Sequence, residues 1–239
     1  MTSPTRTVRA TGLRYAPNDS GSVPKKYVIG KAQVDMTVNH PVTLTDRVRA
    51  LSHRVMEPIG TVLYRAGLHP DMITVAGLVM VMIASIFIGR GEMRLGAAIL
   101  ILGLPLDAVD GAVARAMQRK DRFGAVLDSS LDRYADGFIF AALSYHFAIH
   151  DQFSLILLAL AALMGSFMVS YVRARAEGVG VDVKIGLFSR LERVVIILIM
   201  LLAPSLLVGG LWVLAIGTNF TGLQRLWYVY RILKDRGTS

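Results

Sequence analysis

Apolar and polar positions along this chain alternate on the scale of whole membrane crossings. Met72 to Gly89 is an uncharged apolar run long enough for a helix across a hydrocarbon core of roughly 30 Å. A second run extends from about Leu95 to Met117, apolar at first and carrying two aspartates near its end. A third covers about Phe123 to Phe147, and a fourth about Phe153 to Val172. From Val194 to Gln224 no charge occurs, which leaves room for more than one crossing. Pro204 and Gly209-Gly210 interrupt that run, so the pattern predicts a fifth span to about Val208 and a sixth to about Ile232. The expected fold is an all-α integral membrane protein whose six transmembrane helices occupy residues 67–233, with a tail over 234–239.

Ahead of the first span, Leu44, Val48, Leu51, Val55, Ile59 and Val62 recur at helical spacing, with Arg47 and Arg54 off that stripe. Residues 43–66 therefore predict an amphipathic juxtamembrane helix bent near Pro58, either lying in the membrane interface or packed on its own bundle. Residues 1–42 mix Pro, Gly, Ser and charge without periodicity, so no structure or role is assigned to them. They lack the apolar h-region and cleavage pattern of a signal peptide.

Composition agrees with a membrane protein: 54% of the 239 residues are hydrophobic and the mean hydropathy is +0.52. With no cysteine, disulfide frameworks and thiolate chemistry are excluded. The net charge of +9 lies mainly between and beside the apolar runs, where anionic headgroups rather than nucleic acid attract it. Arg47, Arg49, Arg54 and Arg65 precede the first span, and Arg119, Lys120 and Arg122 fill the second connection. Arg173, Arg175, Lys184, Arg190 and Arg193 lie in or beside the fourth connection, and Arg231, Lys234 and Arg236 near the end of the chain. The opposite turns hold only Arg90, Arg94 and a few acids or histidines. By the positive-inside rule, both termini are expected in the cytoplasm.

Candidate chemistry sits at the polar ends of the second and third spans. Asp107 and Asp110 are i, i+3 and Asp128 and Asp132 are i, i+4, so each pair shares a helix face. With the polar turn at Arg119 to Arg122 between them, the two helices are expected to be antiparallel neighbours whose acid pairs face each other. A carboxylate at membrane depth costs at least about 2.5–3.5 kcal/mol, and a hard divalent cation is the natural partner for four of them. Two ions about 3.5–4 Å apart form a known arrangement for phosphoryl transfer. Gly111 and Gly124 stand beside these acids, either to admit a ligand to the backbone or to let membrane helices pack closely.

Taken together, Asp107-x2-Asp110-Gly111-x2-Ala114-Arg115-x8-Gly124-x3-Asp128-x3-Asp132 resembles the whole signature of the CDP-alcohol phosphotransferase family. Such a pattern arises by chance about once in 10⁹–10¹⁰ start sites. The resemblance covers residues 58–232 and implies a six-helix, homodimeric membrane enzyme that displaces CMP from a CDP-linked donor with an alcohol. It implies that Asp107, Asp110 and Asp128 bind metal, and that Asp132 completes the site and acts as general base. It also implies that Gly111, Arg115 and Gly124 contact the CDP moiety, as do Asp71 and Thr74 in the Leu68 to Thr74 stretch. Mg²⁺ or Mn²⁺ suits such an all-carboxylate site.

A second constellation concerns the acceptor. Arg173, Arg193 and Arg225 fall at the membrane depth and side of the aspartates, and guanidinium forks grip phosphate oxygens bidentately. The alternatives are snorkelling to headgroups or pairing with Asp136 and Glu192. The stretch Ser170 to Glu177, with Leu191-Glu192-Arg193 and Gln224-Arg225, resembles the phosphatidylinositol phosphate synthase subfamily. Arg173 stands where those enzymes usually have Lys, and Leu191 replaces a Pro. That resemblance implies a pocket for inositol phosphate lined by Ser170, Arg173, Arg193 and Arg225, with CDP-diacylglycerol or a related CDP-lipid as donor. Competing expectations are another acceptor such as glycerol phosphate or serine, CDP-inositol as donor, or a divalent-cation transporter.

Overall fold

The computed structural model describes residues 57–117 and 123–237. Among the described residues all regular structure is helical. Helix α1 covers 57–65 and is followed by α2 (Pro70–Gly89), α3 (Met93–Ala116), α4 (Phe123–Ala148) and α5 (Phe153–Gly178). Helix α6 (Arg190–Leu202), a 3₁₀ turn (Pro204–Leu206) and α7 (Leu207–Gly237) complete the chain. Residues 1–42 and most of the predicted amphipathic stretch lie outside the described set, as does the turn at Arg119 to Arg122.

Four segments are long and apolar enough to cross a bilayer: Pro70–Gly89, Met93–Ala116, Phe153–Gly178 and Pro204–Arg236. The protein is therefore an integral membrane protein. Helices α4 and α6 differ from the other four. Asp128, Asp132, Arg133 and Asp136 lower the apolarity of α4, and α6 has 13 residues, about 20 Å of helix. These two helices pair charge with charge: Arg193 of α6 donates to Asp136 of α4 at 3.1 Å.

The break between the last two helices falls at Ala203 to Leu206, so the fifth helix stops short of the expected Val208. Pro204 has no N–H to continue the α6 ladder. Gly209 and Gly210 lie within α7 instead, and a Cβ on Gly210 would sit 2.8 Å from Met200 Cβ, so that glycine serves the close return of α7 onto α6.

Helices α3 and α4 are not packed along one another as expected. Helix α2 packs against both and stands between them. Its buried positions include Gly77, Ala84, Ser85 and Gly89, small residues that let a helix approach neighbours on two sides. Helix α5 packs against α4 and α7, and α6 against α3 and α7.

The main core gathers in the half of the bundle remote from the aspartates. Ile88, Phe140, Leu143, Phe147, Met200, Leu201, Leu211 and Leu214 are all buried there. The aspartate-bearing half has only a small cluster of Ile73, Val109 and Val113, and another where Val181 and Val183 meet the end of α7. Helix α1 closes one side of this half: Leu63 packs on the Ile73 cluster, and a Cβ on Gly60 would meet the Ala112 backbone at 2.6 Å. Ile59 and Val62, from the predicted apolar stripe, are exposed on its other face.

Candidate active site

Three helix ends converge on one cleft of about 230 Å³. The start of α2 supplies Pro70, Asp71 and Thr74, the end of α3 supplies Asp110, Gly111 and Ala114, and the start of α4 supplies Gly124, Ala125 and Asp128. Six residues expected to bind CDP or metal thus line a single space, although three separate helices contribute them. Proline at the first position of α2 fits there because that N–H has no intrahelical acceptor. The amino end of α2 turns its partial positive charge toward the cleft.

Asp110 is 8% exposed. The Thr74 hydroxyl lies 2.7 Å from Asp110 Oδ2 and 3.1 Å from the Pro70 carbonyl, and its one proton is better spent on the nearer, charged oxygen. Asp71 is 3.4 Å from His69 Nδ1. Gly111 settles between its two expected uses. Among the described residues a Cβ there would meet only Arg115 Nη1 of the same helix, at 3.4 Å. Its bare backbone faces the cleft, and Arg115 lies beside it. Asp107 belongs to α3 one turn before Asp110; its side chain is not among those described.

Asp132 does not line this cleft. It borders an adjoining, mostly apolar cavity of about 80 Å³ between α2, α3, α4 and α6, whose polar lining is Thr74, Asp132, Asp136 and Arg190. Thr74 belongs to both spaces. Asp132 is held from two directions: Arg190 Nη2 lies 2.6 Å from Oδ1, and Arg133 Nη1 lies 3.2 Å from Oδ2. Among the described residues no three carboxylates or imidazoles form a ready chelate. Of the four expected acids, Asp110 and Asp128 line the cleft and Asp132 borders the adjoining cavity. A carboxylate this buried takes the nearest guanidinium, and Arg190 supplies it. The side-chain donors that line the cleft, Asp71, Asp110, Asp128 and the Thr74 hydroxyl, offer oxygen only, which fits a hard divalent cation with substrate oxygens completing its shell.

The expected acceptor residues gather where the same ends of α5, α6 and α7 meet. Ser170 is buried on α5 beside Val169, whose carbonyl accepts from Arg225 Nη1 at 2.8 Å. Arg225 Nε donates to the Ile185 carbonyl at 2.8 Å, so this residue also pins the α5–α6 connection. Gly186 beside it has φ +114°, and a side chain there would collide with Thr221 of α7. Arg193 is 3% exposed and its Nε has no partner. The charges of Arg173 and Arg193 both act on Arg225. Arg173 is exposed and paired with Glu177 at 3.1 Å within α5. The partners named as alternatives are in part correct: Asp136 holds Arg193, whereas Glu192 accepts from Ser189.

Arg190 was not anticipated as a site residue. It stands three positions before Arg193, and Asp132 four before Asp136, so two arginines and two aspartates each one helical turn apart were the signal available in the sequence.

Residues 67–223 match the CDP-alcohol phosphatidyltransferase family. Archaetidylinositol phosphate synthase of Methanothermobacter thermautotrophicus is 37% identical over 197 residues, covering 80% of this chain and 97% of the relative. The crystal structure of Mycobacterium tuberculosis phosphatidylinositol phosphate synthase with CDP-DAG bound is similar, with a TM-score of 0.71 at 34% identity, covering 74% of this chain and 94% of that one. The structure of the same enzyme in complex with manganese and citrate gives 0.68 at 34% identity, covering 73% and 88%. With five of its eight signature residues lining one cleft and its sequence matched over most of the membrane region, this chain belongs to the CDP-alcohol phosphatidyltransferase family of transferases.

Proposed function

We propose that the protein transfers a phosphatidyl group from a CDP-lipid, such as CDP-diacylglycerol, to inositol phosphate, releasing CMP. The observation that carries this reading is the junction of two unlike sites at one end of the bundle. One is an oxygen-lined cleft bearing family residues; the other is a group of three arginines, Arg193 and Arg225 buried and Arg173 exposed, in which Arg193 Nε has no partner among the described residues. Three such arginines favour an acceptor that itself carries phosphate over serine or free inositol. The printed names of the relatives support the same acceptor.

In this reading the chain crosses the membrane six times, with both termini and the site on the cytoplasmic side, and works as a homodimer among membrane lipids. Asp110 and Asp128, with Asp107 and Asp132, hold two Mg²⁺ or Mn²⁺ ions. Divalent ions bound there supply charge neutralisation to the pyrophosphate and make CMP a better leaving group. Asp71, Thr74, Gly111, Arg115 and Gly124 seat the CDP head, with the amino end of α2 favouring its phosphates. Asp132 accepts the proton of the inositol hydroxyl as that oxygen bonds to the β-phosphorus and the bond to the CMP oxygen breaks in line. Ser170, Arg173, Arg193 and Arg225 hold the phosphate of the acceptor so that its hydroxyl points at the donor.

The direct experiment offers purified protein labelled CDP-diacylglycerol with inositol phosphate, inositol, glycerol phosphate or serine, and a further arm with CDP-inositol as donor. Phosphatidylinositol phosphate as the product supports the reading; lipid product only with glycerol phosphate or serine overturns the acceptor.

Two variants test the halves separately. Gly111→Ala should gain up to about 1 kcal/mol of helix stability, because the site is helical and no neighbour crowds it, while raising the KM for the CDP-lipid. Gly111→Leu should fill the cleft and abolish donor binding at unchanged melting temperature. Arg225→Ala should raise the KM for inositol phosphate at least about tenfold while the donor KM stays within about twofold. An equal rise in both would reduce Arg225 to the loop-pinning role of its two backbone bonds.

A further inference from the structure

We propose that Arg190 is a positioning residue shared by the ion site and the acceptor site. It holds Asp132 until a divalent cation takes that carboxylate, then turns its guanidinium to the acceptor phosphate. Ion binding and acceptor binding thereby strengthen each other. The proposal deepens the acceptor reading above and rests on it.

The geometry points to exchange rather than to a permanent pair. Two ion pairs bridge α4 and α6 one turn apart, Arg190 to Asp132 at 2.6 Å and Arg193 to Asp136 at 3.1 Å. They differ in burial. The Arg193 side chain is 3% exposed, whereas that of Arg190 is 43% exposed, so Arg190 has room to leave its partner. Arg133, which also pairs with Asp132, is anchored by a 2.6 Å bond from Nη1 to the Ser129 carbonyl of its own helix. Arg190 is the first residue of α6, where side-chain motion disturbs no preceding helical turn.

A cation arriving at Asp132 competes with the guanidinium for the same oxygens and repels it. The displaced charge then lies one helical turn from Arg193, the cluster expected to bind an anion. A phosphate monoester bound there neutralises like charges that otherwise repel. Because both ligands favour the state in which Arg190 has left Asp132, each must raise the affinity of the other by the same factor.

Mn²⁺ binding to the full chain in detergent, read by electron paramagnetic resonance without any CDP-lipid, tests this without turnover. Titrations are run with and without inorganic phosphate, against protein-free controls for the ion–phosphate complex. In the wild type, phosphate should tighten Mn²⁺ roughly five- to 150-fold, the usual range of such coupling. Arg190→Gln should tighten Mn²⁺ about tenfold in the absence of phosphate, since the competitor is gone, and should abolish the phosphate effect. A merely structural arginine predicts the opposite sign, weaker Mn²⁺ binding in the variant.

Unchanged or weakened Mn²⁺ binding in Arg190→Gln overturns the exchange while leaving the acceptor reading intact. Absence of any phosphate effect in the wild type overturns the exchange as well, whereas the acceptor reading stands or falls with the lipid product formed from inositol phosphate. If the glutamine variant does not fold, Arg190→Lys decides. It retains the charge and should keep part of the coupling, whereas Mn²⁺ binding that ignores phosphate in that variant overturns the proposal.

Discussion

Asp132→Asn is expected to lower CMP release by about 10²–10⁴-fold, the range supplied by a positioned general base. Binding of the CDP-lipid should survive, because Asp71, Asp110, Gly111, Gly124 and Asp128 line the cleft apart from the cavity that Asp132 borders, and only Thr74 belongs to both. The amide keeps one oxygen toward Arg190 while its NH₂ group gives up the contact with Arg133, so the side chain stays in place while the capacity to accept a proton is lost. Stopped assays of CMP release alongside equilibrium binding of labelled CDP-lipid separate the two effects. Wild-type turnover in the variant removes Asp132 from the base role.

The largest stability effect is expected at Asp136. Truncation to alanine leaves Arg193, 3% exposed and fixed on α6, as a buried charge without its counter-ion. Breaking a buried pair from one side costs about 3–5 kcal/mol, and thermal unfolding in detergent should register it. Replacing both partners, as Asp136→Leu with Arg193→Met, should restore most of that stability, because the desolvation cost of two ions disappears with their attraction. The double variant should nevertheless lose acceptor affinity. Recovery of both stability and acceptor affinity would remove Arg193 from the acceptor site and make the pair purely structural.

Local spacing served well wherever function depends on residues of one helix. Asp107 with Asp110, and Asp128 with Asp132, fall on adjacent turns because a helix repeats every 3.6 residues. The apolar runs marked α2 and α3 within two residues of their observed starts. Orientation between helices was less accessible. Asp128 and Asp132 share a helix face, yet one lines the cleft and the other the neighbouring cavity. Arg225 was expected to face phosphate, and two of its nitrogens instead hold backbone carbonyls of α5 and of the α5–α6 connection.

From the chain alone come the membrane-spanning character, the helices and the identity of the acidic and glycine residues at the candidate site, since each depends on hydropathy or on neighbours within a turn. Tertiary packing alone decided that α2 separates α3 from α4 and that Arg190 occupies Asp132. In lipid every apolar helix face is equally acceptable to its surroundings, so hydrophobicity cannot choose between neighbours. That choice falls to small residues allowing close approach and to charges that must find each other across the bundle, both of which join residues distant in sequence.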